Sequence, residues 1–243
     1  MMIDGSVSVT AIEWLFWLSV FGVVYPYLGY PVLLWLLGYF FGRYGQSEGG
    51  RTPFYPSVSM IIPVCNEEKR IESKIANTKS LRYPIEQLQV LFVSDGSTDR
   101  TVELIRKQAS GVITLVELSV RGGKASALNA GLTQAKHDIV VFSDASIALE
   151  PDALCHIVQG FRDPVIGCIS GEDKIAESGG EAWYGRYELL IRRLESKVHS
   201  IVGASGSFYA QRRALCAPFT EGDRKSTRLN SSHVKRSRMP SSA

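Results

Sequence analysis

A chain of 243 residues is long enough for one domain of ordinary size with an appendage, and 45% hydrophobic against 21% charged residues lies in the globular range. The net charge of +3 misleads: residues 223–243 hold six basic side chains (Arg224, Lys225, Arg228, Lys235, Arg236, Arg238) against one acid, Asp223, and that surplus of +5 leaves −2 on residues 1–222. The body has no basic stripe with interleaved aromatics, which argues against a nucleic-acid partner, and Cys65, Cys155, Cys168 and Cys216 lack the spacing of a zinc knuckle or a disulfide framework and read as reduced structural thiols.

From Ile12 to Phe41 the sequence runs IEWLFWLSVFGVVYPYLGYPVLLWLLGYFF, with Glu13 as its single charge. Roughly 20 apolar residues cross a bilayer, so a transmembrane helix is predicted over residues 12–41, within an N-terminal segment 1–43. Such a helix is ~45 Å long against a hydrocarbon core of ~30 Å; it is too short to cross twice and must tilt, kink or extend into the headgroups. Pro26 and Pro31 each remove an amide donor and offer a kink. Trp14, Trp17, Trp35, Tyr39 and Phe40 stand toward the two ends, where aromatic rings favour the interface. The segment has no basic leader and exceeds the apolar stretch of a signal peptide. No Lys or Arg precedes it, whereas Arg43 and Arg51 follow, so the positive-inside rule predicts an outer N-terminus and a cytoplasmic remainder.

A Gly- and Pro-rich linker over residues 44–56 leads into a domain expected over 57–222. There, short β-branched runs alternate with helical stretches. Strands are predicted over 58–63, 90–94, 113–117 and 139–142, with helices over 67–81, 101–110, 124–134 and from Pro151. This order indicates βαβ units, hence an α/β fold with a mostly parallel sheet covered on both faces. Ligands of such sheets bind beyond the carboxyl ends of the strands, so strand-end residues carry the functional argument.

Four motifs stand at such ends or turns. The first strand runs into Pro63-Val64-Cys65-Asn66-Glu67-Glu68, where Asn66 suits a helix N-cap and the two acids suit the positive end of that helix. The second ends in Ser94-Asp95-Gly96-Ser97-Thr98-Asp99. Its Asp95 carboxylate can accept from a base N–H or a ribose hydroxyl, while Thr98 and Asp99 are expected to cap the following helix. In Arg121-Gly122-Gly123-Lys124, two glycines let the backbone approach a ligand at a helix N-terminus that attracts phosphate, and Lys124 adds a cation. The fourth strand ends in Ser143-Asp144-Ala145-Ser146, where a hard oxygen ligand could hold Mg²⁺ or Mn²⁺ on a diphosphate. Each motif alone also fits an ordinary turn or cap.

As an ordered set, IIPVCNEE, VSDGSTD, GGKASALNAG, FSDAS and GASGSFYAQRR resemble the inverting, processive, membrane-bound branch of glycosyltransferase family 2, which includes cellulose, hyaluronan and poly-N-acetylglucosamine synthases. The resemblance covers roughly residues 57–219 and implies the GT-A fold. It implies transfer of a sugar from a nucleotide donor, UDP-linked, to a growing glycan or lipid-linked acceptor beside membrane lipid. It further implies that Pro63 to Glu67, with Asn66, and Asp95 with Gly96 line the nucleotide pocket, Asp95 meeting the uridine. Lys124 would lie near the diphosphate, with Asn129 of the same motif counted among the substrate-binding residues. Asp144 would be the first aspartate of the family's metal-binding D-x-D. Gly203, Ser205 and Gly206 would belong to the acceptor side, followed by Arg212 and Arg213.

The sequence departs from that pattern. Ser146 stands at the third position of D-x-D, and a hydroxyl is a poorer metal ligand than a carboxylate. The acidic pair that supplies the family's catalytic base, and the later Q-x-x-R-W motif, do not follow the GASG segment; Thr220-Glu221 lacks a second acid, so Glu221 is not assigned as base. Residues 223–243 have no apolar periodicity. They resemble the translation of a sequencing adaptor, which predicts a disordered, non-native tail on a truncated, inactive chain. A nucleotide-sugar-binding fragment or pseudo-enzyme without transfer is the alternative. Glu172 and Asp173 read as a solvated loop. Tyr184, Tyr187, Leu190, Ile191 and Leu194 recur at helical spacing and are expected to pack on the sheet.

Overall fold

The computed structural model describes residues 5–41, 53–109, 111–171, 180–198, 206–219 and 237–238. Helix α1 (Gly5–Val24) starts seven residues before the predicted boundary, because the small uncharged residues ahead of Ile12 extend the same helix. Pro26 has no N–H for the usual bond to the carbonyl four residues back, and the helix widens into a π-turn over Tyr25–Gly29, closed by the Tyr30 N–H on the Tyr25 carbonyl. Helix α2 (Tyr30–Phe41) continues from it. Thr10–Phe40 is long and apolar enough to cross a membrane, with a mean hydropathy of 1.7 and most of its side chains exposed.

The domain is a mixed sheet wrapped by helices. Its chain order is β1 (Val58–Val64), α3 (Ile71–Lys79), β2 (Leu88–Asp95), α4 (Thr101–Gln108), β3 (Ile113–Leu118), α5 (Gly123–Gln134), β4 (Ile139–Ser143), α6 (Ala153–Gln159), β5 (Cys168–Ser170), α7 (Gly180–Val198) and β6 (Phe208–Arg212). Strands run in the order β3-β2-β1-β4-β6-β5. The first four are mutually parallel, with Val58 level with both Leu88 and Ile139, while β6 runs antiparallel to β4 and β5. Each predicted strand and helix up to α6 is present, with boundaries moved by a few residues. The antiparallel pair β5 and β6 was not predicted, because three residues of β5 and a strand ending Ala210-Gln211-Arg212 give no apolar run.

Alternation along the strands splits the core in two. Met60, Ile62, Val90 and Phe92 face one layer with Ile71 and Ile75 of α3, Ile105 of α4 and Leu154 and Ile157 of α6. Ile61, Leu91, Val93, Val140 and Phe142 face the other, with Ala127 and Leu128 of α5. Both faces being covered explains why the strands read as continuous apolar runs. On the second face α5 approaches β1 so closely that a Cβ on Gly131 would stand 2.5 Å from Cγ2 of Ile61. Gly131→Ala is therefore expected to lower stability by about 1–3 kcal/mol through overpacking, read as a fall in Tm, with the helix content unchanged.

One expectation needs correction. Helix α7 packs along α2 rather than on the sheet. Tyr187 donates to the carbonyls of Pro26 (2.8 Å) and Tyr27 (3.2 Å), and its ring lies 6.2 Å from that of Tyr27. Tyr30 donates to Glu195 (2.9 Å), and Leu194 is buried. The apolar face of α7 was legible, but an exposed apolar helix offered it a partner outside the sheet. Residues 237–238 form β7 (Ser237–Arg238), paired parallel to β5. Glu172, Asp173 and the rest of residues 223–243 lie outside the described residues.

Candidate active site

β1 is flanked by β2 on one side and β4 on the other, with β3 beyond β2. The chain therefore reverses direction across the sheet at β1, the switch point where an open α/β sheet forms its ligand crevice. The C-terminal ends of β1, β2 and β4 border a pocket of about 300 Å³ there. β1 and the turn after it contribute Pro63, Val64, Cys65 and Glu67; β2 contributes Asp95; Arg121 stands just ahead of α5, and Lys124 and Ala127 lie in its first turns; Asp144, Ala145 and Ser146 follow β4.

The loops after β1 and β2 are stitched together. Asn66 adopts a left-handed backbone (φ 54°), which Asn tolerates. Its Oδ1 accepts the Thr98 N–H at 2.8 Å, and its own N–H donates to Ser97 Oγ at 3.2 Å. The Glu67 N–H reaches Thr101 Oγ1 (2.8 Å) and the Glu68 N–H reaches Asp99 (3.1 Å). Helix α3 starts only at Ile71, so Asn66 braces the neighbouring loop instead of capping that helix. Arg100, not Thr98 or Asp99, stands at the N-cap of α4; Asp99, one residue ahead of it, accepts the Thr101 N–H at 3.0 Å. Burial opposes its ionisation, yet the Thr101 hydroxyl and the amides of Thr101 and Glu68 hold its carboxyl below the usual carboxylate range.

Asp95 is buried, and both of its oxygens are engaged: Oδ1 accepts the Gly122 N–H at 2.7 Å and Oδ2 the Gly123 N–H at 2.8 Å. The glycines permit this grip. Gly123 has φ +85°, and a Cβ on Gly96 (φ +59°) would stand 2.8 Å from the Arg121 amide nitrogen. The amides expected to await a phosphate at the start of α5 are thus held by Asp95, which corrects the phosphate reading of the two glycines. Lys124, next in the helix, carries the free reach: its Nζ lies 2.6 Å from Asp144 Oδ1 and 3.4 Å from the Gly206 carbonyl.

Asn129 is not in the pocket lining. Its amide clamps the backbone of Phe219 in both directions, at 2.9 and 2.8 Å. Gly203 and Ser205 lie outside the described residues. Ser207, just before β6, accepts the Asp144 N–H (2.9 Å), so the start of β6 touches the site. Arg212 pairs with Ile139 at the opposite rim and bonds the Phe161 and Ile166 carbonyls, and Arg213 donates to the Asp138 and Ala135 carbonyls, so neither lines the pocket. Sequence reasoning gave no role to Arg121 or Lys74. Lys74 is buried on α3 beneath the pocket and donates to Ser143 Oγ and the Ile147 carbonyl, both at 2.8 Å. Burial lowers its ammonium to about pKa 8, with Asp144 pulling the other way. Its position within an amphipathic helix gave no signal.

Over residues 59–216 the sequence matches the family model "Glycosyl transferase family 2". This chain belongs to glycosyl transferase family 2. A poly-beta-1,6-N-acetyl-D-glucosamine synthase of Staphylococcus aureus is 30% identical to this glycosyltransferase over 161 residues, which are 61% of this chain and 39% of the synthase. The synthase of the same name from Staphylococcus epidermidis is 28% identical over 159 residues. The chain thus spans about two-fifths of the length of these relatives. Among solved structures, the mannosyltransferase PcManGT from Pyrobaculum calidifontis, in complex with GDP-Man and Mn²⁺, superposes with a TM-score of 0.72 at 26% identity, covering 90% of this chain and 64% of its own. Glucosyl-3-phosphoglycerate synthase from Mycobacterium tuberculosis (TM-score 0.51, 23% identity, covering 76% of this chain and 69% of its own) shares the fold. The α/β GT-A architecture expected from the motifs is therefore the observed one.

The metal question turns on the donor set. Among the described residues no group of three His, Cys, Asp or Glu side chains is placed to hold an ion. Asp144 and Ser146 nevertheless line the pocket together, and they fit a Mg²⁺ or Mn²⁺ ion that takes its remaining oxygens from a bound diphosphate and water.

Proposed function

We propose that this family 2 glycosyltransferase is membrane-anchored through α1 and α2 and uses the pocket at the ends of β1, β2 and β4 to bind a nucleoside-diphosphate sugar, UDP-linked. The sugar passes to a growing glycan or lipid-linked acceptor at the cytoplasmic face. The observation that carries this reading is the convergence of Asp95, Lys124, Asp144 and Ser146 on one pocket at the switch point, in the order their motifs suggested. Asp95 has two of its roughly four lone-pair directions left for a nucleoside N–H or hydroxyl. Lys124 can exchange its Asp144 partner for a phosphate oxygen. A divalent ion held by Asp144 and Ser146 would neutralise the departing diphosphate. In an inverting transfer the acceptor oxygen bonds to the anomeric carbon as its bond to the diphosphate oxygen breaks; the nucleoside diphosphate leaves with that electron pair and the hydroxyl proton goes to a base.

The second reading is donor binding without transfer. It draws on the state of the pocket carboxylates: Asp95 is held by two amides, Asp144 by Lys124 at 2.6 Å and Glu67 by Arg70 at 3.6 Å. Calorimetry of the full chain with UDP and Mn²⁺, beside a sugar-transfer assay, separates the two readings. Heat of binding with turnover supports the first, binding alone supports the second, and no binding of UDP rejects both. Tighter binding of GDP would reassign the base.

Cys65 offers an independent map of the pocket. Its side chain lines the cavity and donates to the Asp95 carbonyl (3.4 Å), whereas burial pushes the Cys168 and Cys216 thiols up to about 12. Iodoacetamide at neutral pH is expected to modify Cys65 and spare Cys168 and Cys216. Saturating UDP with Mn²⁺ is expected to slow the Cys65 reaction several-fold by peptide mass mapping. An unchanged rate would place the nucleotide elsewhere.

A further inference from the structure

We propose that Lys74 is the positioning residue for the Asp144 carboxylate: from beneath the sheet it ties both ends of the turn that presents Asp144 and Ser146 to the diphosphate. The inference rests on the donor-site reading above. Its two acceptors bracket that turn, Ser143 Oγ immediately before Asp144 and the Ile147 carbonyl immediately after Ser146, each at 2.8 Å. One turn along α3, Asn77 clamps Leu149 from both sides of its amide, donating to the carbonyl at 2.7 Å and accepting the N–H at 2.8 Å. Helix α3 thus holds the whole strap from Ser143 to Leu149, and only the Lys74 attachment reaches the two residues that flank the Asp144–Ser146 segment.

A buried ammonium is a costly means of bridging two neutral oxygens, since a charge taken from water loses its hydration. Its position beside Asp144 gives the cost a return. The ammonium and the Asp144 carboxylate attract each other, which offsets part of that cost. A single fixed carboxylate also matters more here than in a site with two, because Ser146 occupies the place of the second acid. Asp144 is held on its other side by its N–H bond to Ser207 and by the exposed Lys124, which a donor phosphate can draw away. Lys74 has no such exit, being 3% exposed. The orientation of Asp144 in the donor-bound state is therefore set by Lys74.

Groups that orient a metal ligand from outside the coordination sphere typically change metal affinity by about 10–100-fold when removed. The test is the gain in UDP affinity that Mn²⁺ confers, measured by calorimetry on the full chain and its variants, with circular dichroism and Tm as controls. Lys74→Met is expected to lose most of that gain, on the order of tenfold or more, while metal-free UDP affinity stays within about threefold. Asn77→Ala, which weakens the same strap at Leu149, is expected to lower Tm and keep the gain. Where Lys74→Met does not fold, Ser143→Ala removes one acceptor with little change of volume and is expected to lose part of the gain. A gain retained in Lys74→Met or in Ser143→Ala, or lost equally in Asn77→Ala, overturns the positioning role. Absence of the gain in the unsubstituted chain overturns the donor-site reading, and the proposal falls with it.

Discussion

Asp95→Ala is expected to cost the chain both stability and nucleoside binding. Its carboxylate receives two charge-assisted hydrogen bonds, from Gly122 and Gly123, at 2.7 and 2.8 Å. Bonds to a charged group contribute about 1.5–3 kcal/mol each, and the exposed position of the two glycines lets water recover part of that. A net loss of about 2–3 kcal/mol follows, which for a domain of this size lowers Tm by about 2–4 °C per kcal/mol. The turn from Arg121 to Lys124 is released at the same time, so the N-terminus of α5 no longer faces the pocket in a fixed orientation. Uridine and UDP should weaken alike, by about tenfold or more, because the lost group acts at the nucleoside end. Asp95→Asn is the informative companion. It keeps one acceptor but turns an NH₂ toward the other glycine N–H, so its stability should fall between wild type and alanine. Unchanged uridine affinity in both variants would remove Asp95 from the nucleotide site and leave it as a loop anchor.

Asp144→Ala should produce a different pattern. The carboxylate is partly exposed, so the fold loses little; among the described residues its side chain pairs with Lys124, in a surface ion pair worth about 0–1 kcal/mol. Tm is expected to stay within a few degrees. The Mn²⁺-dependent part of UDP affinity should vanish, because Ser146 alone is a weak ligand for a hard cation. Metal-free UDP affinity should hold or rise slightly, since Lys124 is released toward the phosphates. Transfer, where measured, should fall by about 10³-fold or more, the scale on which loss of charge stabilisation at a leaving group is felt. Titration with uridine, UDP and UDP plus Mn²⁺ across both variants distinguishes a nucleoside role from a metal role. Undiminished Mn²⁺-dependent binding in Asp144→Ala would reject the metal assignment.

Much of the site was legible because its residues follow strand ends. Asp95 and Asp144 each terminate an apolar β-branched run, and a parallel sheet brings such ends to one rim whatever the loop lengths between them. Pro63 and Glu67 came with them for the same reason, and Lys124 through the glycine pair that opens α5. Asn66, Asn129 and Arg212 show where motif reading stops. Their side chains are polar and sit inside recognisable motifs, but Asn66 braces the next loop, Asn129 grips Phe219 ninety residues away and Arg212 lies at the wrong rim. Which partner a polar side chain finds depends on what the fold sets opposite it, and sequence spacing does not contain that.

The same division runs through the whole molecule. Local periodicity determined the apolar N-terminal helix, the four parallel strands and the helices between them, since burial on two faces imposes continuous apolar runs and burial on one imposes a helical stripe. The tertiary structure alone decided that α7 lies on α2, that β6 enters the sheet between β4 and β5 in the antiparallel sense, and that Lys74 stands beneath Asp144. It also decided that Asp95 occupies the two amides a phosphate was expected to take. Each of these rests on contacts between segments far apart in the chain, where the choice among partners is made by packing space and by the demand that every buried polar group be matched, quantities that exist only once the chain has folded.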